Sequence, residues 1–409
     1  MAVKGKFHTG FSQKFGFLPP SILNIKNPVW IHAVSVGEAL VAANLCEAIK
    51  ARIPGVKVIV STTTRTGNEM IRKSSKSVDG VFYYPIDVRR VVKNVLNKVD
   101  PSAYVIVETE LWPNMLEEVS ARSIPLVLVN GRISDRSFLG YKRIGFITKR
   151  MLGCFSSVCV QTQRDAEKIK ALGCPASKIR VTGNVKFDIS FPEPRQTDVE
   201  KISEAFPEGS RVIVAGSTHY PEEKFIIDEF IKLRKGSKDV KLVVAPRHIE
   251  RKDAIKIYVE SFNLKCCFFS GITGSKFKKE ENFDVIIVDT IGHLKDIYSR
   301  ATVVFIGGSL AKKGGQNPIE AARWGKAVIF GPNMDNFREV ARNFIENGAA
   351  IMVEDPVELG KAILEILNND QKRMLMEKNS REVIEKNSGA IEKTVEAIEL
   401  CLKSEKGKR

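Results

Sequence analysis

Short apolar, β-branched runs alternate with amphipathic stretches along nearly the whole chain. In the first half the runs at 29–34, 56–62, 81–84, 103–108, 126–130, 157–161 and 179–182 read as strands. In the second half those at 212–216, 241–245, 285–289, 303–307, 327–331 and 350–353 read the same way. Nearly continuous apolar runs of this length mark strands covered on both faces, as in parallel sheets. Between them lie helical stretches such as 38–51, 222–233 and 320–324. This β–α rhythm predicts α/β architecture with doubly wound, Rossmann-like domains. The Pro-rich, polar stretch 191–199 interrupts the rhythm and reads as a linker. The predicted domains are 1–190 and 200–400, with 401–409 a charged, frayed tail. Two such halves would face each other across a cleft, with ligands beyond the strand C-termini.

Charge changes this picture. Lys and Arg number 64 against 48 Asp and Glu, and residues 1–190 hold 28 of the former and 14 of the latter. The first half therefore carries a net +14 and the rest a net +2. Such asymmetry points to an anionic partner: phosphorylated substrate, anionic lipid surface or nucleic acid. Interleaved aromatic and basic runs are missing and no nucleic-acid module is present, so a nucleic-acid partner is not expected. Seven cysteines without a CxxC pair fit reduced thiols, mostly buried, better than a disulfide framework or a zinc site. No apolar run approaches the roughly 18 residues of a membrane span.

The candidate chemistry sits where strands end. After the first strand, Ser35 and Glu38 have the S-x-x-E spacing of a capping box, which alone accounts for both residue types. The same spacing also admits Glu38 as a general base, with Gly37 leaving room for a ligand close to the backbone. The run 103–107 leads straight into Glu108 and Glu110, and Arg132 after a neighbouring strand is a candidate ion-pair partner. Lys186 follows the last strand of the first half, where an amine offsets negative charge. In the second half, Ser217 lies in Gly-Ser-Thr-His before a helix start, a place suited to an anion or simply to a capped turn. Pro246 ends a strand and Arg247 projects beyond it. Four glycines, 307, 308, 314 and 315, precede Asn317-Pro318-Ile319-Glu320. Here Asn317 suits an N-cap and Pro318 a first helical position, so the Gly-rich backbone is expected to form a phosphate pocket. Neither a Walker P-loop nor an early G-x-G-x-x-G occurs, which disfavours P-loop nucleotidases and dinucleotide dehydrogenases. There is also no Asp-x-Asp, so no metal is expected and Arg, Lys and helix starts would neutralise a leaving phosphate.

Taken in order, HAVSVGE, ETELWPN, VNGRIS, GNVKFD, GSTH, APRH and GGQNPIEAA resemble the Kdo transferases of Gram-negative lipopolysaccharide synthesis, glycosyltransferase family 30. The resemblance spans about residues 5–400. It implies a GT-B fold with an N-terminal acceptor domain and a C-terminal nucleotide-sugar domain. The implied reaction is inverting, metal-independent transfer of Kdo from CMP-Kdo to an anionic lipid A precursor, lipid IVA. The resemblance makes Glu38 the general base and has Glu108 and Lys186 stabilise the transition state. It places CMP contacts on Pro246, Arg247, Ile291, Gly292, His293 and Asn317 to Glu320. Two residues depart from the family pattern: His293 stands where a polar or acidic residue is usual, and Pro221 where Gly is common. The family also has a hydrophobic N-terminal anchor that this sequence does not include. Attachment to the cytoplasmic face of the inner membrane is thus expected as peripheral or through such an anchor. Another GT-B nucleotide-sugar enzyme, a UDP-sugar transferase or epimerase, is the alternative.

Overall fold

The computed structural model describes residues 10–74, 77–188, 196–273 and 282–406. The chain divides into two compact units, 1–190 with 387–409, and 191–386. Each is built on a seven-stranded sheet whose pairings are all parallel.

In the first unit the strands are β1 (Val29–Ala33), β2 (Val58–Thr62), β3 (Gly80–Tyr83), β4 (Ala103–Val107), β5 (Leu126–Gly131), β6 (Ser157–Val160) and β7 (Ile179–Val181). Their spatial order is β3-β2-β1-β4-β5-β6-β7. The central strands β1, β2, β4 and β5 are buried at every position, which is why they read as unbroken apolar runs. Alternate side chains feed two cores. Trp30, Phe82 and Tyr104 lie on one face; Ile31, Val60 and Val105 lie on the other.

The second unit holds β8 (Arg211–Thr218), β9 (Val240–Pro246), β10 (Cys266–Phe268), β11 (Val285–Ile287), β12 (Val303–Ile306), β13 (Ala327–Phe330) and β14 (Ala350–Met352). They are ordered β10-β11-β9-β8-β12-β13-β14. Strand β10 is not foreseen from the sequence. It is a three-residue edge strand, half-buried, and too short to show a period. Cys266 and Cys267 lie in it. All seven cysteines are free, three buried and four half-buried, so burial is less general than expected.

Two predicted boundaries need correction. The second unit ends at Lys386, not near residue 400. The last helix, Ala390–Lys406, returns to the first unit, because Ala390, Val395, Ala397 and Ile398 form an apolar stripe buried with Leu45, Ile49 and Val129. The Asp188 carboxylate accepts the Gly389 and Ile391 amides (2.7 and 2.6 Å), and Arg52 pairs with Glu399 (2.6 Å). The expected frayed tail is therefore helical as far as Lys406. Of the predicted linker, 191–195 lies outside the described residues and the rest begins the helix Gln196–Ala205. Among the described residues no helix is long and apolar enough to cross a membrane.

Candidate active site

In the first unit the connections from β1 diverge. The chain runs outward through β2 and β3 and then returns to β4 on the other side of β1, the kind of strand-order reversal beyond whose C-termini open α/β sheets bind ligands. Glu38 stands there, on the first turn of the helix Val36–Arg52. The capping box forms in full: Ser35 Oγ accepts the Glu38 amide (3.3 Å) and the Glu38 carboxylate reaches back. Its Oε2 accepts the Val34 amide at 2.7 Å, and its Oε1 accepts the Ser35 hydroxyl at 2.7 Å. The cap does not consume the residue's acid chemistry. Glu38 is 7% exposed. Burial raises its pKa; the Val34 amide opposes this and the charge of Glu108 reinforces it.

Glu108 follows β4 with φ 58, a left-handed conformation that costs a non-glycine residue about 1–3 kcal/mol and recurs at functional sites. Its amide still bonds Val129 across the sheet (2.9 Å), so the strand ends in register before the side chain turns. The carboxylate is gripped from two sides, by Arg132 Nε on Oε2 (3.0 Å) and Lys186 Nζ on Oε1 (3.4 Å). Arg132 is thus the partner expected from the sequence. Lys186 sits in the short 3₁₀ turn Val185–Asp188, whose Val185 and Phe187 are buried anchors. The Asn130 side chain accepts the Val185 amide (3.0 Å). Lys186 Nζ lies 3.8 Å from where a Cβ on Gly37 would stand, so the missing side chain leaves space beside the ammonium. Ser35, Gly37, Glu38, Glu108 and Lys186 therefore converge.

Glu110 is reached from the sequence together with Glu108 but is given no role of its own there. Its signal is only its place two residues after Glu108. Burial, with the charges of Glu38 and Glu108, pushes its carboxyl up to about 7. Nearby, His32 is fully buried, stacked on Tyr84 (3.8 Å) and bonded through Nδ1 to Ser61 Oγ (3.0 Å). Burial lowers its pKa to about 3, against the Ser61 backbone bond, so it stays neutral.

In the second unit the corresponding strand ends carry different groups. Ser217 is the last residue but one of β8, with φ 53, and the next carbonyl, Thr218, accepts the Arg247 amide (2.8 Å). Pro246 is buried at the end of β9, and Arg247 is exposed beyond it. Asn317 Nδ2 donates to Glu320 Oε1 (3.3 Å), and Asn317 Oδ1 accepts the Ile319 amide (3.1 Å). Burial raises the Glu320 pKa, opposed by Asn317 and by the charges of Lys295 and Arg247. His219 Nε2 meets Gln316 Nε2 at 3.4 Å, and its ring lies 5.4 Å from that of His248. Burial, then the charges of His248, Arg247 and Lys313, lower the His219 pKa. Ile291 is 83% exposed in the turn after β11, and the His293 ring lies 5.1 Å from Phe269. His219, Gln316 and Lys313 are site neighbours that the sequence reading does not select.

The expected phosphate pocket in the first part of the Gly-rich segment is already filled. Fully buried Glu222 accepts the amides of Gly308 (2.7 Å), Leu310 (2.8 Å), Ala311 (3.1 Å) and His219 (2.9 Å). Glycine at 307 is needed because a Cβ there would lie 2.5 Å from the Ser217 carbonyl oxygen. The helix after the glycines is also shorter than expected. It is the single turn Ile319–Ala322, with Pro318 before it rather than inside it.

Comparison with known proteins gives this geometry a family. Residues 9–189 match the family model described as 3-deoxy-D-manno-octulosonic-acid transferase (kdotransferase), and 276–383 match glycosyl transferases group 1. The chain is 34% identical over 359 residues to a bifunctional glycosyltransferase/methyltransferase of Fusobacterium nucleatum, covering 87% of this chain and 54% of that protein. It thus spans about half the length of that relative. It is 31% identical to a 3-deoxy-D-manno-octulosonic acid transferase of Rickettsia bellii, covering 90% of this chain and 87% of that protein. In fold it resembles the UDP-GlcNAc 2-epimerase of Neisseria meningitidis, with TM-score 0.58, 14% identity, and 91% and 99% of the two chains covered. That likeness supports the GT-B architecture expected from the sequence. With a relative above 30% identity matched over most of both lengths, the chain belongs to the 3-deoxy-D-manno-octulosonic acid transferase family of glycosyltransferases.

Proposed function

We propose that the protein transfers Kdo from CMP-Kdo to a lipid A precursor, with inversion and without a metal. The observation that carries this reading is the group formed by Glu38, Glu108 and Lys186 in a chain of this family. An acceptor hydroxyl is a weak nucleophile. Glu38 takes its proton as the oxygen attacks the anomeric carbon of the donor. The bond from that carbon to the phosphate oxygen breaks, and CMP leaves with the electron pair. One displacement without a covalent intermediate inverts the centre. The carbon gains oxocarbenium character, which the Glu108 carboxylate stabilises. Charge developing on the departing phosphate calls for a cation, and each unit carries one beyond its strand ends, Lys186 in the first and Arg247 in the second. In the second unit Glu320, beside Asn317, supplies an acceptor for a ribose hydroxyl. Cationic groups thus take the role that a metal fills in other nucleotide-sugar enzymes.

The acceptor is an anionic lipid, and the first unit suits it. With 387–409 included, this unit holds 33 Lys and Arg against 18 Asp and Glu, while the second holds 31 against 30. Its helices Asp135–Arg143 and Gly145–Gly153, with Ile144 between them, expose Leu139, Ile144, Ile147 and Phe146, the last at 82%. Arg136, Lys142, Arg143, Lys149 and Arg150 interleave with them. Exposed apolar residues among cations match an anionic membrane surface, here the cytoplasmic face of the inner membrane.

Mass spectrometry of product formed from CMP-Kdo and lipid IVA, with a chelator present, tests the reaction directly. An added Kdo mass is expected. No product, or product only from a UDP-sugar, overturns the reading. Arg247→Ala is expected to weaken CMP binding at least about tenfold, as loss of a charge-assisted contact would. Unchanged affinity by calorimetry removes Arg247 from the donor site.

A further inference from the structure

A second concentration of positive charge lies at the other end of the second sheet. β12 and β13 run parallel, with Val303 beside Ala327. Arg300 precedes the first, and Lys326 the second. Both therefore sit at the strand N-termini, whereas Gly307, Glu320 and Arg247 follow strand C-termini.

The helix Asp370–Asn387 packs across this edge. Its buried Ser380 donates to the carbonyls of Lys326 (3.0 Å) and Ala349 (3.3 Å). Arg381, the next residue, covers Gly325: a Cβ on that glycine would stand 2.8 Å from the guanidinium carbon. Arg373, Glu377, Ser380 and Arg381 fall at helical spacing on one face. Arg373 pairs with Asp370 (2.8 Å) and Glu377 (3.6 Å). Among the described residues Lys326, Arg300 and Arg381 have no ion-pair partner.

Lys326 is half-buried in this ring. Burial lowers its pKa. Glu377 opposes the shift, and Arg300, Arg381 and Arg373 add to it. Asp370 and Glu377 set two carboxylates against four cations, and holding a desolvated amine among three guanidiniums is unfavourable unless a further anion joins them. The unit as a whole is nearly neutral, so the excess is local. Guanidinium forks match phosphate oxygens, and a lysine adds a point charge.

We propose that Lys326, Arg300, Arg373 and Arg381 form an anion site for a phosphate-bearing ligand, at the opposite end of the strands from the donor residues. The shared chemistry is a phosphate or diphosphate group, either free or on a lipid head. This site does not depend on the transferase reading.

The test uses the full chain and follows acylation of Lys326 by an amine-reactive reagent, read by peptide mass spectrometry. Pyrophosphate at ten times its dissociation constant is expected to slow modification about tenfold, the factor mass action gives for a fully protected amine. A parallel arm replaces pyrophosphate with phosphatidylglycerol vesicles, with phosphatidylcholine vesicles as control. Protection by pyrophosphate identifies a free anion; protection by phosphatidylglycerol alone identifies a lipid head. In the double variant Arg300→Ala, Arg381→Ala protection is expected to vanish while CMP binding persists. Equal labelling with and without both probes overturns the site. Undiminished protection in the folded double variant overturns it too.

Discussion

Two first-turn glutamates, one in each unit, both fold back onto an amide that precedes their helix, yet they reach different ends. Glu38 follows β1 and reaches back to the amide of Val34, four residues earlier. Glu222 follows β8 and reaches back to the amide of His219, three residues earlier. Glu38 finds one further strong partner, the Ser35 hydroxyl, and faces the charge of Glu108. Glu222 finds three more amides from the Gly-rich loop after β12. A carboxylate bonded to four amides ties two loops together. One with fewer donors and a like-charged neighbour is ready to accept a proton. The difference lies in the turn, where Glu38 is the third helical residue and Glu222 the first, and in what the neighbouring strand ends deliver.

Substitutions at these positions sharpen the contrast. The largest effect is expected from Glu38→Gln, which keeps capping bonds and removes the base. Transfer should fall by about 10²–10⁴ with the melting temperature almost unchanged; a near wild-type rate breaks the assignment. Glu222→Ala should act the other way, on stability. It strands four buried amides, a cost of about 3 kcal/mol or more. For a unit of this size that lowers Tm by roughly 6–12 °C, and a calorimetric scan without such a drop would show the clamp to be dispensable.

Smaller effects concern pH. Because the Glu38 pKa is raised, the acid limb of the rate profile should lie above the ordinary glutamate range. Glu108→Gln removes a charge that raises it, so the limb should move to lower pH while the rate also falls. A limb that stays put would mean Glu108 does not act on Glu38. The smallest effect is at Glu110, whose carboxyl is raised from 4.5 to about 7. Its protonated form favours folding. That contribution is complete below pH 4.5 and lost as pH rises through about 7. Denaturation curves of Glu110→Gln should lack this loss. Identical pH slopes in the two proteins would remove Glu110 from the acid cluster.

Much of the site was legible because strand ends could be found from periodicity and the residues just beyond them are few. Glu38, Glu108, Arg132 and Lys186 were reached in that way. Glu110 was not separable from Glu108 by any local rule, since burial and two neighbouring charges give it its character. His219 and Gln316 meet across two loops separated by nearly a hundred positions, beyond the reach of spacing.

Sequence alone determined the parallel sheets, the basic first unit and the motifs of the family, because apolar periodicity, composition and short-range turn chemistry are local properties. Only the tertiary structure decided that the last helix belongs with the first unit and that the glycine loop wraps a carboxylate of the protein itself. It also decided which acids share a field. Each of these depends on groups far apart in the chain, and their energies are set by burial and distance, quantities that exist only once the chain has folded.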